Sequence, residues 1–352
     1  MSTFAVTIRK LSRVWPHPNA DRLELASVEG CEYQFVIPKD QYKQGDEVVF
    51  FPIDSVLPQG LIAKMGLAGK LAGKDKNRIK TVKLRGSISQ GIVARPTDVF
   101  ADDSWKTAIS EQITAALGVI KYDPPPVPCH TGNLVMLPPD IPVYDIEGAD
   151  NYPAVVAALM DVPVYVTEKL EGSQFWLAAE RKIITFGQHH RRIEPIPGTE
   201  HNFIIIAQSQ GLVELAKRLS VDFGGQKVTL RGEYCGPGVQ KNIYRLREGH
   251  IYLFDILVSK GPGDYRYFSP NEFVNAAFVP DITVPLLAMD ATLRSWLDGK
   301  SIRDASNGVS VLLTTQKREG IVIKPMTEGR NEEIGRLVIK QRSPEYLVES
   351  DS

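Results

Sequence analysis

Lys169 closes the run Val164-Tyr165-Val166-Thr167-Glu168-Lys169 and is followed by Leu170-Glu171-Gly172. The β-branched and aromatic run reads as a strand. Glu171-Gly172 reads as a tight turn and Gln174-Phe175-Trp176-Leu177-Ala178 as the returning strand of a hairpin. The amine then sits at the hairpin mouth. A lysine attacks as a nucleophile only when desolvation or neighbouring cations lower its pKa. Four later strand ends carry groups that could keep it company. Glu233 lies between glycines in Leu230-Arg231-Gly232-Glu233-Tyr234-Cys235-Gly236, and Phe254 precedes an acid in Tyr252-Leu253-Phe254-Asp255-Ile256. Glu319 leads into Gly320-Ile321-Val322-Ile323-Lys324-Pro325. In Leu337-Val338-Ile339-Lys340-Gln341-Arg342, period-2 alternation puts Lys340 and Arg342 on one face.

The elements around these residues fall into two groups. Up to about residue 100 the chain reads as short strands (Phe4–Ile8, Leu23–Val28, Tyr33–Ile37, Glu47–Phe51) separated by turn signals, the pattern of a small barrel. Val48-Val49-Phe50-Phe51 is apolar throughout, as in a strand buried on both faces. Ser104 to Leu117 reads as one helix with Trp105, Ala108, Ile109 and Ile113 on a face and Gly118 as its stop. Asp123-Pro124-Pro125-Pro126-Val127-Pro128 is a stiff, extended linker. The expected organisation is 1–122 as a barrel with a helical tail, 123–143 as linker and 144–352 as a second domain. That second domain mixes strands with helices. Leu212, Leu215, Ala216 and Leu219 form a helical stripe, and Ser269-Pro270-Asn271-Glu272 is a helix start. Strands are expected at Lys182–Gly187, Lys227–Gly232, His250–Val258, Gly320–Lys324 and Arg336–Gln341. Strand and helix do not alternate regularly, so the class is α+β rather than a doubly wound parallel sheet.

Composition narrows the surroundings. At 352 residues the chain can hold two cores. Its net charge of -1 means that any affinity for nucleic acid must come from local patches. One such patch is Lys64 to Arg85, where Asp75 is the only acid among eight basic residues. Cys31, Cys129 and Cys235 are widely spaced and odd in number, which fits a reducing compartment without a disulfide framework or a zinc-finger motif. No signal peptide or membrane span is expected, so the reading is a cytoplasmic or other intracellular soluble protein. His189 and His190 invite a metal, but adjacent strand residues face opposite sides, so no two-histidine site is expected.

Lys169-Leu170-Glu171-Gly172, Glu233, Phe254, Glu319 and Lys340, in this order, resemble the motifs of the covalent nucleotidyltransferases, the superfamily of polynucleotide ligases and capping enzymes. The resemblance covers roughly Tyr144 to Arg342. It implies a nucleotidyltransferase (ATP-grasp-like) domain of antiparallel sheets with helices, preceded by an all-β OB-like barrel. Within the superfamily the chain is most similar to ATP-dependent RNA ligases. DNA ligases and capping enzymes carry an OB module after their last lysine motif, whereas here only twelve residues follow Lys340. Independently, His17-Pro18-Asn19-Ala20-Asp21-Arg22-Leu23 and Arg85-Gly86-Ser87-Ile88-Ser89-Gln90-Gly91 resemble signatures of a tRNA-binding OB module, which implies that Arg22 and Arg85 contact RNA.

The resemblance assigns roles. Lys169 takes AMP from ATP, passes it to the 5′-phosphate of an RNA strand, and a 3′-hydroxyl then displaces AMP. Lys340, with Arg342 beside it, contacts the α-phosphate, because phosphoryl-type transition states need cations around their oxygens. Glu233 and Glu319 hold Mg²⁺ (or Mn²⁺), with Glu171 helping through water. Phe254 stacks on adenine, Glu168 reads its edge, and Lys324 lies among the nucleotide-binding residues. Either Arg191 or Arg192 fills a basic motif that contacts nucleotide or RNA ends. The competing readings are a nucleic-acid-binding adaptor with an inactive second domain, against which the intact Lys169, Glu233, Glu319 and Lys340 argue, and a DNA ligase or capping-type enzyme.

Overall fold

The structure, a computed structural model, describes residues 4–123, 131–277 and 281–350. The proline-rich stretch 124–128 and Cys129 therefore lie outside the described residues. The chain divides into two compact units. One comprises residues 4–123, 148–156 and 344–350, the other 131–147 and 157–343.

In the first unit the expected strands form, as β1 (Thr7–Pro16), β2 (Leu23–Val28), β3 (Gln34–Pro38) and β4 (Glu47–Phe51). A hairpin follows, β5 (Thr81–Leu84) and β6 (Ser87–Gln90), then β7 (Ile92–Ala94). The antiparallel main sheet has the order β3-β2-β1-β4-β7. Strand β4 is buried on both faces, as its continuous apolar run requires. Val49 and Phe51 join one core with Leu57 and Ile62, while Val48 and Phe50 join another with Leu11 and Phe35. The helix expected over 104–117 is broken. A 3₁₀ turn covers Asp103–Lys106 and α1 covers Ser110–Ala116, separated at Ile109, which is extended and 61% exposed. Local capping decides this. The Asp102 side chain accepts from Ser104 N, and Gln112 accepts from Ile109 N, so each piece has its own N-terminus.

The two motif strings of this unit meet. His17 Nε2 lies 3.1 Å from the Leu84 carbonyl, and Asn19 Nδ2 donates to the Arg85 carbonyl at 3.1 Å. Arg85 and Gly86 occupy the left-handed region (φ 48° and 95°), the geometry of a two-residue hairpin turn. Arg22 and Arg85 are both exposed.

The second unit contains β8 (Gly132–Met136), inside the segment expected as linker, then β9 (Pro163–Lys169), β10 (Ser173–Glu180), β11 (Ile183–Gln188) and β12 (Arg191–Pro195). Helices α2 (Asn202–Ser209) and α3 (Leu212–Asp222) follow, then β13 (Lys227–Cys235), β14 (His250–Gly261), β15 (Asp264–Tyr267) and α4 (Pro270–Ala277). The last strands are β16 (Leu286–Thr292), β17 (Gly320–Pro325) and β18 (Ile339–Arg342). A seven-stranded sheet has the order β8-β12-β11-β10-β13-β14-β15; in a smaller one β18, β17, β9 and β16 are neighbours in that order. The expected cap is present: Ser269 N donates to Glu272, and Glu272 N to Ser269 Oγ. The α3 stripe buries Leu212, Ala216 and Leu219 against Leu177 and Leu230 of the large sheet.

One expectation fails informatively. Strands β9 and β10 do not pair as a hairpin. Strand β9 pairs with β16 and β17, whereas β10 pairs with β11 and β13. Lys169 thus stands where the chain passes from one sheet to the other. Leu170 is buried there with Cys235 and Tyr244. Gly172 is pressed so close to β13 that a Cβ would lie 2.6 Å from the Tyr234 carbonyl and 2.7 Å from Glu233 Cγ. Gly320 is as tightly placed, since a Cβ there would meet the Gln341 carbonyl at 2.1 Å. Gly320→Ala must push β17 from β18. We expect it to lower the unfolding free energy by about 1–3 kcal/mol in urea titrations, the usual cost of overpacking.

Candidate active site

Register places the chemistry. Lys169 of β9 faces Gly320 of β17, Gly320 faces Arg342 of β18, and Val322 faces Lys340. Lys169, Lys340 and Arg342 therefore share one face of the small sheet. Glu319 immediately precedes β17, and its Oε2 is 2.6 Å from Lys169 Nζ, both side chains being largely buried. Glu233 arrives from the large sheet, where β13 pairs it with Gln174 on one side and Tyr252 on the other.

Burial pushes the Glu233 carboxyl up to about 8. The positive field of Lys169 opposes this, the negative field of Glu319 adds to it, and Lys340 again opposes it. Burial also raises Glu171, against the pull of its hydrogen bond from the Lys241 amide and with the push of Glu319. The backbone of Glu171 is fixed as well, its N–H donating to the Tyr244 hydroxyl at 2.7 Å. Glu171 and Glu233 thus both feel the charges of Lys169 and Glu319, and Glu233 feels Lys340 as well. Three carboxylates crowd around two ammonium groups, a hard oxygen donor set of the kind that Mg²⁺ or Mn²⁺ prefers. The residues fit such an ion on their chemistry alone.

The remaining expected residues sort themselves around this centre. Glu168 is almost fully buried. Its Oε2 accepts from Val311 N at 2.8 Å, while Oε1 is buried without a hydrogen-bond partner among the described residues. Burial raises its pKa, opposed by hydrogen bonds from Ser310 and Val311 and by the charge of Arg318. The ring of Phe254 packs with Leu170, Tyr244 and Tyr252 and lies 5.1 Å from the Tyr144 ring. Arg191 is exposed at the start of β12, and Arg192 pairs with Glu194.

Lys324 is engaged elsewhere than at the lysine centre. It is buried, 2.9 Å from Asp255 Oδ2, and donates to the Phe254 carbonyl at 2.6 Å. Arg336 reaches the same carboxylate at 2.5 Å and Tyr144 donates to it at 2.7 Å. Burial works against the Asp255 charge, but Arg336 and Lys324 overcome it and hold the carboxyl at about 2. Sequence reasoning missed this cluster, although Asp255 was visible as an acid inside an apolar strand. It also missed Tyr244, which no local pattern marks.

The family model for RNA ligases matches residues 162–341, slightly more than half of the chain, and one for an OB-fold domain matches residues 5–96. The chain belongs to the RNA ligase family. Its ligase motifs therefore sit in an α+β domain preceded by an OB-like antiparallel barrel. Among solved structures, a Naegleria gruberi RNA ligase variant with ATP and Mn is similar at 24% identity, over 98% of each chain, with a TM-score of 0.78. The same ligase with PPi gives 24% identity over 98% of each chain and 0.77. An apo variant gives 25% identity, over 98% of this chain and 97% of that one, and 0.76. These likenesses establish the fold across both units. No curated protein matches the chain. Among the described residues no helix is long and apolar enough to cross a membrane, and Cys31 and Cys235 are free and buried.

Two outcomes follow from the electrostatics. Folding raises the Glu233 pKa from 4.5 to about 8, so the folded state holds more protons than the unfolded one between those values. Stability must therefore fall as pH rises through that window. In metal-free buffer Glu233→Gln should remove that part of the fall, so that its thermal midpoint gains on wild type between pH 5 and pH 8; a constant gap would contradict the shift. Lys324→Met breaks a buried pair and should cost about 3–5 kcal/mol in urea, towards the lower end because Arg336 remains on Asp255.

Proposed function

We propose that this ligase is ATP-dependent and seals 3′-hydroxyl and 5′-phosphate RNA ends through a lysyl-AMP and an adenylylated RNA end. The observation that carries this reading is Lys169 at the crossing between the two sheets, ringed by Glu171, Glu233, Glu319 and Lys340. Solved relatives with ATP and Mn, with AMP and Mn and with PPi support it, as does the RNA ligase family match.

In the first step the Lys169 amine attacks the α-phosphorus. A P–N bond forms, the bond to the bridging oxygen breaks and pyrophosphate leaves. In the second step the 5′-phosphate of RNA displaces the amine, carrying AMP away. In the third a 3′-hydroxyl attacks that phosphate and AMP departs. Lys340 and Arg342 line the face on which the α-phosphate sits and counter its growing charge. Glu233 and Glu319, helped by Glu171, hold Mg²⁺ (or Mn²⁺), which supplies positive charge to the phosphates and relieves the crowding of carboxylates. Phe254 stacks on the adenine, and the unpartnered oxygen of Glu168 accepts from its edge. Lys324 supports this wall from behind, through Asp255. Arg191 or Arg192 receives the RNA end, and the OB-like unit docks the RNA body through Arg22 and Arg85. Broken or nicked RNA is the substrate class, and repair the role.

This order of steps has a sharp consequence. Lys169 acts only until AMP has left it. Lys169→Ala should lose ATP-driven sealing of 5′-phosphate RNA yet still join RNA supplied already adenylylated, as read on denaturing gels. Sealing from ATP at the wild-type rate would refute the assignment. Arg22→Ala with Arg85→Ala should slow sealing about 10-fold or more at moderate salt while sparing AMP attachment to the protein, because phosphate contacts dominate RNA affinity. Equal loss of both would contradict a docking role.

A further inference from the structure

The two adjacent histidines do not lie on a strand. Gln188 pairs with Arg191, so His189 and His190 are the two-residue turn joining β11 and β12. His189 adopts φ 47°, a left-handed conformation that Gly or Asn fills with less strain. The turn brings the rings together, edge to face, with centroids 3.9 Å apart. The alternation argument against a shared site therefore does not apply. Asp145, from the segment that approaches the large sheet, comes to the same place. One ligand atom from each of Asp145, His189 and His190 lies within 4.8 Å of the others. The half-buried His190 has a further feature: its Nδ1 is enclosed and has no hydrogen-bond partner among the described residues.

We propose that Asp145, His189 and His190 form a binding site for a divalent transition metal of the Zn²⁺ class, separate from the Glu233–Glu319 centre. Imidazole nitrogens with one carboxylate suit zinc and its neighbours, whereas Mg²⁺ prefers oxygen. Bonds of about 2.0–2.1 Å at tetrahedral angles place ligand atoms about 3.4 Å apart. The ion would draw together ligand atoms that already lie within 4.8 Å of one another, those of Asp145 and His189 belonging to exposed residues. Three protein ligands leave one coordination position for water or a phosphate oxygen.

The location gives the ion a task. The His189 amide donates to the Gln174 carbonyl at 3.1 Å, and Gln174 is the register partner of Glu233. The His189 backbone is thus two strand spacings, roughly 10 Å, from that of Glu233. A bound ion ties the Asp145 segment to the β11–β12 turn, directly before Arg191 and Arg192. That an RNA phosphate fills the open position rests on the ligase reading; metal binding itself does not.

The test uses the full chain without ATP or RNA, so its outcome is independent of ligation. Co²⁺ is titrated into metal-free protein and followed by its visible absorption, then displaced with Zn²⁺. We expect one equivalent with the intense bands of a four-coordinate nitrogen–oxygen site. His190→Ala and, as a milder change, Asp145→Asn should each weaken Zn²⁺ binding by about 10–100-fold or more with unchanged circular dichroism. Glu233→Gln combined with Glu319→Gln should leave the bands intact. Absence of such bands overturns the proposal. So do bands that survive in folded His190→Ala and Asp145→Asn proteins, or bands that vanish with the glutamate changes.

Discussion

Charge crowding at one point governs this structure. Glu171, Glu233 and Glu319 share a partly desolvated space with the ammonium groups of Lys169 and Lys340. Three carboxylates in such a place repel one another more strongly than they would in open water. Burial is the main reason Glu233 stays a neutral acid up to about pH 8; Glu319 adds to the shift, while Lys169 and Lys340 oppose it.

Everything around the centre maintains that crowding. The chain crosses between sheets directly after Lys169, so groups from both can converge on the amine. Gly172 and Gly320 let backbones approach to distances that no side chain allows, and each sits beside a catalytic candidate. Behind them, Asp255 is held by Lys324, Arg336 and Tyr144. That cluster joins β14, β17 and the approach to the large sheet, and it fixes the wall that carries Phe254. Buried ion pairs contribute little net stability, but losing one partner is costly, so the arrangement gives definition more than strength.

Much of this could be read from residue order. Strand ends bearing Lys169, Glu233, Glu319 and Lys340 were legible because period-2 patterns and motif spacing are local. The capping box at Ser269–Glu272 and the left-handed Gly118 were legible for the same reason. The failures share a different cause. Whether β9 returns onto β10 or departs for another sheet depends on pairing with strands over a hundred residues away, and no local signal records it. The helix over 104–117 broke because caps at Asp102 and Gln112 outweighed an apolar stripe. The histidine pair was misplaced because a Gln-His-His-Arg turn carries no Gly, Asn or Pro to announce it. The buried carboxylate partner of Lys324 lies about seventy residues earlier in the chain, and no local pattern links the two.

The measurement that bears most directly on this account is the chemical location of AMP on the protein. After incubation with ATP and Mg²⁺ in the absence of RNA, the protein is digested at neutral pH and its peptides are sequenced by mass spectrometry. The account predicts a single AMP adduct, on the Lys169 side chain, that disappears when 5′-phosphate RNA is added. An adduct on another residue, or none under any divalent ion, would contradict it.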